Sequence, residues 1–439
     1  MKNYKILTLL ASVFLISGVF ILNNNFGIIN FPASKTLQVQ RGNLLSASRQ
    51  LAILDSAQSW NILDKLVEKD DELAKIPVSI GSREINYYED RISFLKDDTK
   101  SINRVRFSDK ERVLGLKLLN TKTGEIKIIK VSTKITPERV SVVAPDGYQI
   151  EIVERPNGIR WNLWNTSYRV VLPENTVVIK NLWPREETVS VTKVVNGKPK
   201  KETKKVVVGF PYVPHSEYFE QGEARNNLVK AGKEYEKEIV AKAFATLRQR
   251  GVMSQAFPNE LVADVGALLP KFFERLPLLE QGDLTEFFLE PQKTAERVLI
   301  ILGANQENSW IQTCNSSSAC GWVQFTPKTY GNIRRDFSKA QLIINFKEGA
   351  GDHVNSMMAA ILLHDSNLAG LVKRYGKNIA KDPRLEEYLA ATYNGAPIHV
   401  WNSLDATLGK TVDDWTKHLR KETHGFIYKL RYLIENNLP

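Results

Sequence analysis

The chain has 439 residues, 25% of them charged and 43% hydrophobic. That is globular composition, which excludes a disordered or collagen-like chain, and at roughly 150 residues per domain it leaves room for two or three domains. A net charge of +11 points to an anionic partner, either nucleic acid, a phospholipid surface or an anionic cell-wall polymer. No zinc-ligand cysteine pattern and no basic motif with interleaved aromatics occurs, which ranks nucleic acid last.

In chain order, Lys2 and Lys5 precede an uncharged, mostly apolar run at residues 6–22. That pattern reads as an export signal or a signal-anchor. The run is within the length range of a membrane span and longer than the ~7–15 residues of a signal-peptide core. Asn23, Asn24, Asn25 and Phe26 follow, with no small-residue cleavage pattern and no cysteine for lipid attachment. The expectation is an uncleaved membrane anchor and linker over residues 1–40, with the lysines inside and the body in the cell envelope. A cleaved signal and a secreted protein is the alternative. Residues 41–76 then carry a helical period, with Leu44, Leu45, Leu51, Ile53, Leu54, Trp60, Leu63, Leu66 and Leu73 on one stripe, ended by Pro77.

Between residues 77 and 213 the period changes to two. Residues 114–118 and 125–131 flank Asn120-Thr121-Lys122-Thr123-Gly124, a hairpin signal. Residues 140–143 and 148–153 flank Pro145-Asp146-Gly147, and residues 168–171 and 176–179 flank Pro173-Glu174-Asn175. Residues 188–195 and 203–208 flank Asn196-Gly197-Lys198-Pro199, a solvated arm whose proline and lysines protect a sheet edge. Successive hairpins predict an antiparallel β-rich middle domain. Its residues carry no recognisable chemistry, which favours a spacer or a partner-docking role.

Residues 214–290 read as a helical connector, with a long amphipathic helix over 224–250 and another over 258–273. Pro291 opens the last region, 291–439, which reads as almost entirely helical. The run Ile300-Ile301-Leu302-Gly303-Ala304-Asn305-Gln306-Glu307 puts a carboxylate at the end of an apolar helix. Burial there disfavours the charged form, which suits a general acid working near neutral pH. The plainer reading of Glu307 is an ordinary helix-end carboxylate. Cys314 and Cys320 are the only cysteines, and in an exported chain they are expected to form a local disulfide, with two free thiols as the alternative. His353, His364, His399, His418 and His424 show no metal-ligand spacing and no metal or cofactor is expected.

Five motifs in this region resemble, in order, the catalytic domain of the soluble lytic transglycosylases. They are Gln306-Glu307-Asn308-Ser309-Trp310, Gly321-Trp322-Val323-Gln324-Phe325-Thr326-Pro327, a helix over 352–375 with Asn355 near its start, Ala391-Thr392-Tyr393-Asn394-Gly395, and Glu422-Thr423-His424-Gly425-Phe426-Ile427-Tyr428. The resemblance covers about residues 294–436. It implies an all-α lysozyme-like catalytic domain in an α+β multidomain chain that acts on peptidoglycan glycan strands. It also implies that Glu307 is the single acid and base, that Tyr393 orients it, and that Gln324, Asn394 and Glu422 line the glycan groove. Ser316 is the counterpart of a serine near the sugar's N-acetyl group, with Ser317 and Ser318 as rivals. Trp310, Trp322 and Phe325 offer aromatic faces to sugar rings, or else belong to the core. Where relatives have Ser after the acid, this chain has Asn308, and Ala319-Cys320 replaces a Gly-Ala.

The implied reaction cleaves the MurNAc-GlcNAc β-1,4 bond and closes a 1,6-anhydro ring. The absence of a second carboxylate soon after Glu307, the nearest Asp being Asp336, fits a single-acid mechanism. The competing expectations are a hydrolytic muramidase, a non-catalytic wall-binding scaffold, and a lysin of an envelope apparatus whose β domain docks a partner protein.

Overall fold

In the computed structural model the described residues are 60–94, 100–195, 198–311, 313–315, 317–407 and 415–439. Residues 58–439 form one compact unit, mixed α/β with an antiparallel sheet. The expected anchor at residues 6–22 lies outside the described residues. Among the described residues no helix is long and apolar enough to cross a membrane.

Strand β2 (Lys100–Asn120) organises the sheet. Its first half pairs with β1 (Ser79–Phe94) and its second half with both β3 (Ile126–Thr136) and β7 (Thr176–Val195). β4 (Arg139–Val143) pairs with β3, and β8 (Lys198–Tyr212) with β7, giving the order β4-β3-β2-β7-β8. The hairpin around residues 120–124 forms as expected, with Leu119 opposite Ile126, and the β7–β8 arm forms with Lys198 and Pro199 in the strand and not in the turn, Val195 lying opposite Lys198. The other two expected hairpins are corrected. β5 (Gln149–Ile152) pairs with β6 (Tyr168–Leu172) in a separate two-stranded ribbon, so the turns at 145–147 and 173–175 lead the chain from sheet to ribbon and back.

The reason is that β2 buries both faces. Leu114, Leu116 and Leu118 pack with Ile129, Trp161 and Trp183 under the ribbon. Leu119 packs on the other face with Ile62, Phe219, Leu228 and Ile300. Lys117 is fully buried among the leucines. Its ammonium donates to the carbonyls of Leu66 (3.0 Å) and Glu68 (2.5 Å) and to the Asp70 carboxylate. This explains why the expected helix does not run on to Leu73. It breaks into α1 (Ile62–Val67) and α2 (Asp70–Ala74), with Lys69 at φ 58° between them, and the break keeps a buried charge satisfied.

Helix α3 (Gly222–Gln249) forms as read. The helix expected over 258–273 is displaced to α4 (Pro270–Gln281), followed by α5 (Leu284–Leu289) and α6 (Pro291–Asn305). Then come α7 (Pro327–Asp336), α8 (Phe346–Gly351), α9 (His353–Tyr375), α10 (Leu385–Asn394), α11 (Pro397–Thr407) and α12 (Lys421–Glu435). One apolar core runs from Phe210 through Phe244 and Phe273 to Leu433. Residues 214–290 are therefore part of the helical body, and not a connector leading to it.

Helices α3 and α6 meet through glycine. A Cβ on Gly232 would lie 2.0 Å from the Leu299 carbonyl oxygen, and one on Gly303 would lie 2.2 Å from that of Leu228. Backbone at this separation admits no side chain, so Gly232→Ala is expected to cost about 1–3 kcal/mol or more. Urea denaturation checks this, and an unchanged midpoint would contradict the close approach.

Glu236 on α3 is fully buried, and neither carboxyl oxygen has a hydrogen-bond partner among the described residues. Burial, with Glu274 adding to it, holds its carboxyl well above the usual range. A folded value above the unfolded one means stability is fully present below the unfolded value, ~4.3, and declines as pH rises past it. Glu236→Leu is expected to gain on the order of 1–3 kcal/mol at neutral pH and to flatten that decline. Thermal unfolding at pH 4.5 and 8 measures both.

Candidate active site

Helix α4 reads Leu276-Pro277-Leu278-Leu279-Glu280-Gln281 and stops at Gly282, whose N–H donates to the Leu278 carbonyl at 3.1 Å. Its last turn is held from two sides. Gln281 Nε2 donates to the carbonyls of Trp322 (2.9 Å) and Gly321 (3.2 Å). Lys429 of α12 donates to the carbonyls of Leu279 and Gly282. Glu280 sits between these anchors and faces a cleft of about 240 Å³.

Motifs distant in sequence converge on the same cleft. Its lining includes Asn315, Gln324, Asn394, Glu422 and Phe426. Gln324 takes φ 51°, which is rare for a residue with a side chain and directs it inward. Its Nε2 donates to the Gly321 carbonyl at 2.7 Å. Asn394 presents a buried side-chain oxygen with no partner among the described residues, an acceptor open to an N–H or O–H of a ligand. Glu422 is exposed in the first turn of α12.

The electrostatics single out Glu280. Burial pushes its carboxyl above the ordinary range, the nearby Lys429 ammonium pulls it back, and Glu422 adds to the rise. Tyr393 is raised by burial and then by the negative charge of Glu280. A surface hollow of about 460 Å³ by Arg334 and Ile344 has no carboxylate in its lining.

The sequence-derived site is thus partly assembled. Gln324, Asn394 and Glu422 share the cleft. Glu307 does not line it. It is exposed in a short 3₁₀ turn, Gln306–Asn308, so the expected burial at an apolar helix mouth is corrected. The cause is local. Asn305 exchanges hydrogen bonds with the backbone of Val213, at 2.8 and 3.0 Å, which turns the end of α6 toward the exit of the sheet. Tyr393 does not reach Glu307 as expected; its hydroxyl donates to the Val323 carbonyl at 2.5 Å. Trp322 is fully buried, stacked on His353 with ring centroids 4.3 Å apart, and Trp310 and Phe325 are also in the core. They offer no face to a sugar. Ser316 lies outside the described residues, and Ser317 is exposed.

Sequence reading missed Glu280, Asn315 and Lys429. The signal for Glu280 was present, since it too is a carboxylate ending an apolar helix. The resemblance points to Glu307 instead because Gln306-Glu307-Asn308-Ser309-Trp310 matches the family's first motif.

Cys314 and Cys320 form the expected disulfide. The bridge encloses Asn315, whose side-chain oxygen accepts from the N–H groups of Ser317 (2.9 Å) and Ala319 (3.0 Å). The Cys314→Ser/Cys320→Ser variant is expected to speed amide exchange at Ala319 and Cys320 roughly tenfold or more, since closing so short a loop is worth ~2 kcal/mol. Unchanged exchange would show that hydrogen bonds alone hold the loop.

Comparison of the chain with protein-family models, curated proteins and solved structures finds no match.

Proposed function

We propose that the chain is a peptidoglycan-cleaving enzyme of the lytic transglycosylase type, with Glu280 as its general acid and base. One observation carries this reading. Gln324, Asn394 and Glu422, drawn from three separate motifs, surround a carboxyl that burial keeps protonated beyond the ordinary range.

In the proposed reaction the Glu280 carboxyl gives its proton to the glycosidic oxygen as the bond to the anomeric carbon breaks. The carbonyl of the substrate's own N-acetyl group supports the cation. The Glu280 carboxylate then removes the proton of the C6 hydroxyl, whose oxygen closes the 1,6-anhydro ring and restores the acid. Asn315, Gln324 and the free Asn394 oxygen supply the polar contacts. A cleft of about 240 Å³ is a little smaller than the ~300 Å³ at which ligand pockets usually start, room for one sugar ring. An anchor at residues 6–22 would hold the cleft at the wall, and the β-rich part would dock an envelope protein.

A second reading rests on Glu422, which brings a second carboxylate to the cleft. Two flanking carboxylates are the usual equipment for hydrolysis, so a muramidase that uses water as the acceptor is the alternative. A non-catalytic wall-binding scaffold predicts no cleavage at all.

Digestion of purified sacculi separates these readings. Glu280→Gln is expected to lose ~100-fold or more of the cleavage rate, and Glu307→Gln to stay within about twofold, as surface substitutions do. Products lacking one water support ring closure, and hydrated products support the muramidase. Loss with Glu307→Gln but not with Glu280→Gln would return the acid to Glu307.

A further inference from the structure

We propose that Lys429 is the positioning residue of this cleft. Its ammonium clamps the two carbonyls that flank Glu280 in the chain and is the cation that faces the Glu280 carboxyl. The inference rests on the reading of Glu280 as the acid only for its bearing on catalysis. The clamp itself is a matter of geometry.

Lys429 lies on α12 and is only 6% exposed. Burying an ammonium is costly unless its protons find acceptors. Here the Leu279 and Gly282 carbonyls each take one, the latter at 2.9 Å. The Leu279 carbonyl belongs to the last turn of α4 and the Gly282 carbonyl to the residue that caps it, where carbonyls lack helical donors of their own and the helix dipole favours a cation. A lysine from a different helix therefore caps α4 at the turn that carries Glu280. Phe426, one turn earlier on α12, covers the ammonium from 5.4 Å and so limits its access to water.

The charged groups around the ammonium come from three elements. Glu280 faces it from α4, Asp283 from the N-cap of α5, and Glu422 from its own helix. Tyr393 of α10 adds its hydroxyl on the Glu280 side. Burial lowers the Lys429 ammonium while these carboxylates raise it, Glu280 first among them. The same pairing restrains the rise that burial gives Glu280. Without the cation, Glu280 would hold its proton to higher pH and be slower to give it to the glycosidic oxygen in the first half of the cycle. With it, one carboxyl can both give and take a proton near neutrality.

The test titrates Glu280 in the full-length protein with carboxyl-13C-labelled glutamate, assigned by the signal that Glu280→Gln removes. Lys429→Met keeps the stem and removes both donors and charge. Lys429→Gln keeps donors for the carbonyls without the charge, and carries the comparison if Lys429→Met does not fold. Both are expected to raise the Glu280 midpoint by about one pH unit or more, the usual effect of losing an adjacent opposite charge. Lys429→Arg is expected to leave the midpoint nearly in place. A midpoint that stays put in Lys429→Met and Lys429→Gln overturns the proposal. The titration needs no turnover, so the two ideas fail separately. A shift in a protein inert toward sacculi refutes the glycan reading and keeps Lys429, whereas no shift in an active protein does the reverse.

Discussion

A buried ion network joins the sheet side of the molecule to the helices around the cleft. Glu286 of α5 is fully buried and accepts both arms of Arg155, at 2.6 and 2.8 Å, from the loop after β5. Arg297 of α6 reaches the same carboxylate at 3.3 Å, Glu290 at 3.1 Å, and Glu220. Glu220 bonds His215, which bonds Ser167 at the start of β6. Burial works against the Glu220 charge, but His215 and Arg297 hold its carboxyl down at about 2. Because breaking such a network strands a charge in a low-dielectric interior, it ties α5 to the loop after β5 and to α6. The end of α4 and the start of α5 enclose Glu280 and Asp283, so the network also fixes one wall of the cleft.

The cleft repeats the same principle at a smaller scale. Glu280 is held between Gln281, tied to the Gly321–Trp322 backbone, and Lys429, tied to the backbone on either side of it. The polar groups are not spread over a surface. Each one either closes a helix end or faces the cavity, and Asn394 presents its oxygen with no partner among the described residues. A site built this way is preorganised, because little must move when a ligand enters.

Several elements are legible in the chain because their causes are local. The β2–β3 hairpin follows from Asn120 and Gly124, the start of α6 from Pro291, and the start of α9 from Asp352, which accepts from the Asn355 N–H at 2.8 Å. The disulfide follows from two cysteines six residues apart. Strand partners were not legible where both neighbours are apolar. β4 and β5 look like a hairpin in sequence, yet the two-faced burial of β2 sends them to different sheets.

The sequence by itself determined three residues of the cleft, Gln324, Asn394 and Glu422, which are marked by short motifs whose local chemistry is readable. It also determined that some carboxylate ends an apolar helix nearby. Only the tertiary structure decided which one. Glu280 and Glu307 share the same local pattern, and the difference between them is made by contacts from far along the chain. Lys429 draws the end of α4 into the cleft, and Asn305 turns the end of α6 toward Val213 and leaves Glu307 exposed. Helical period and motif spacing describe what a segment presents, whereas the direction in which a helix end points is set by the partners that satisfy its last carbonyls.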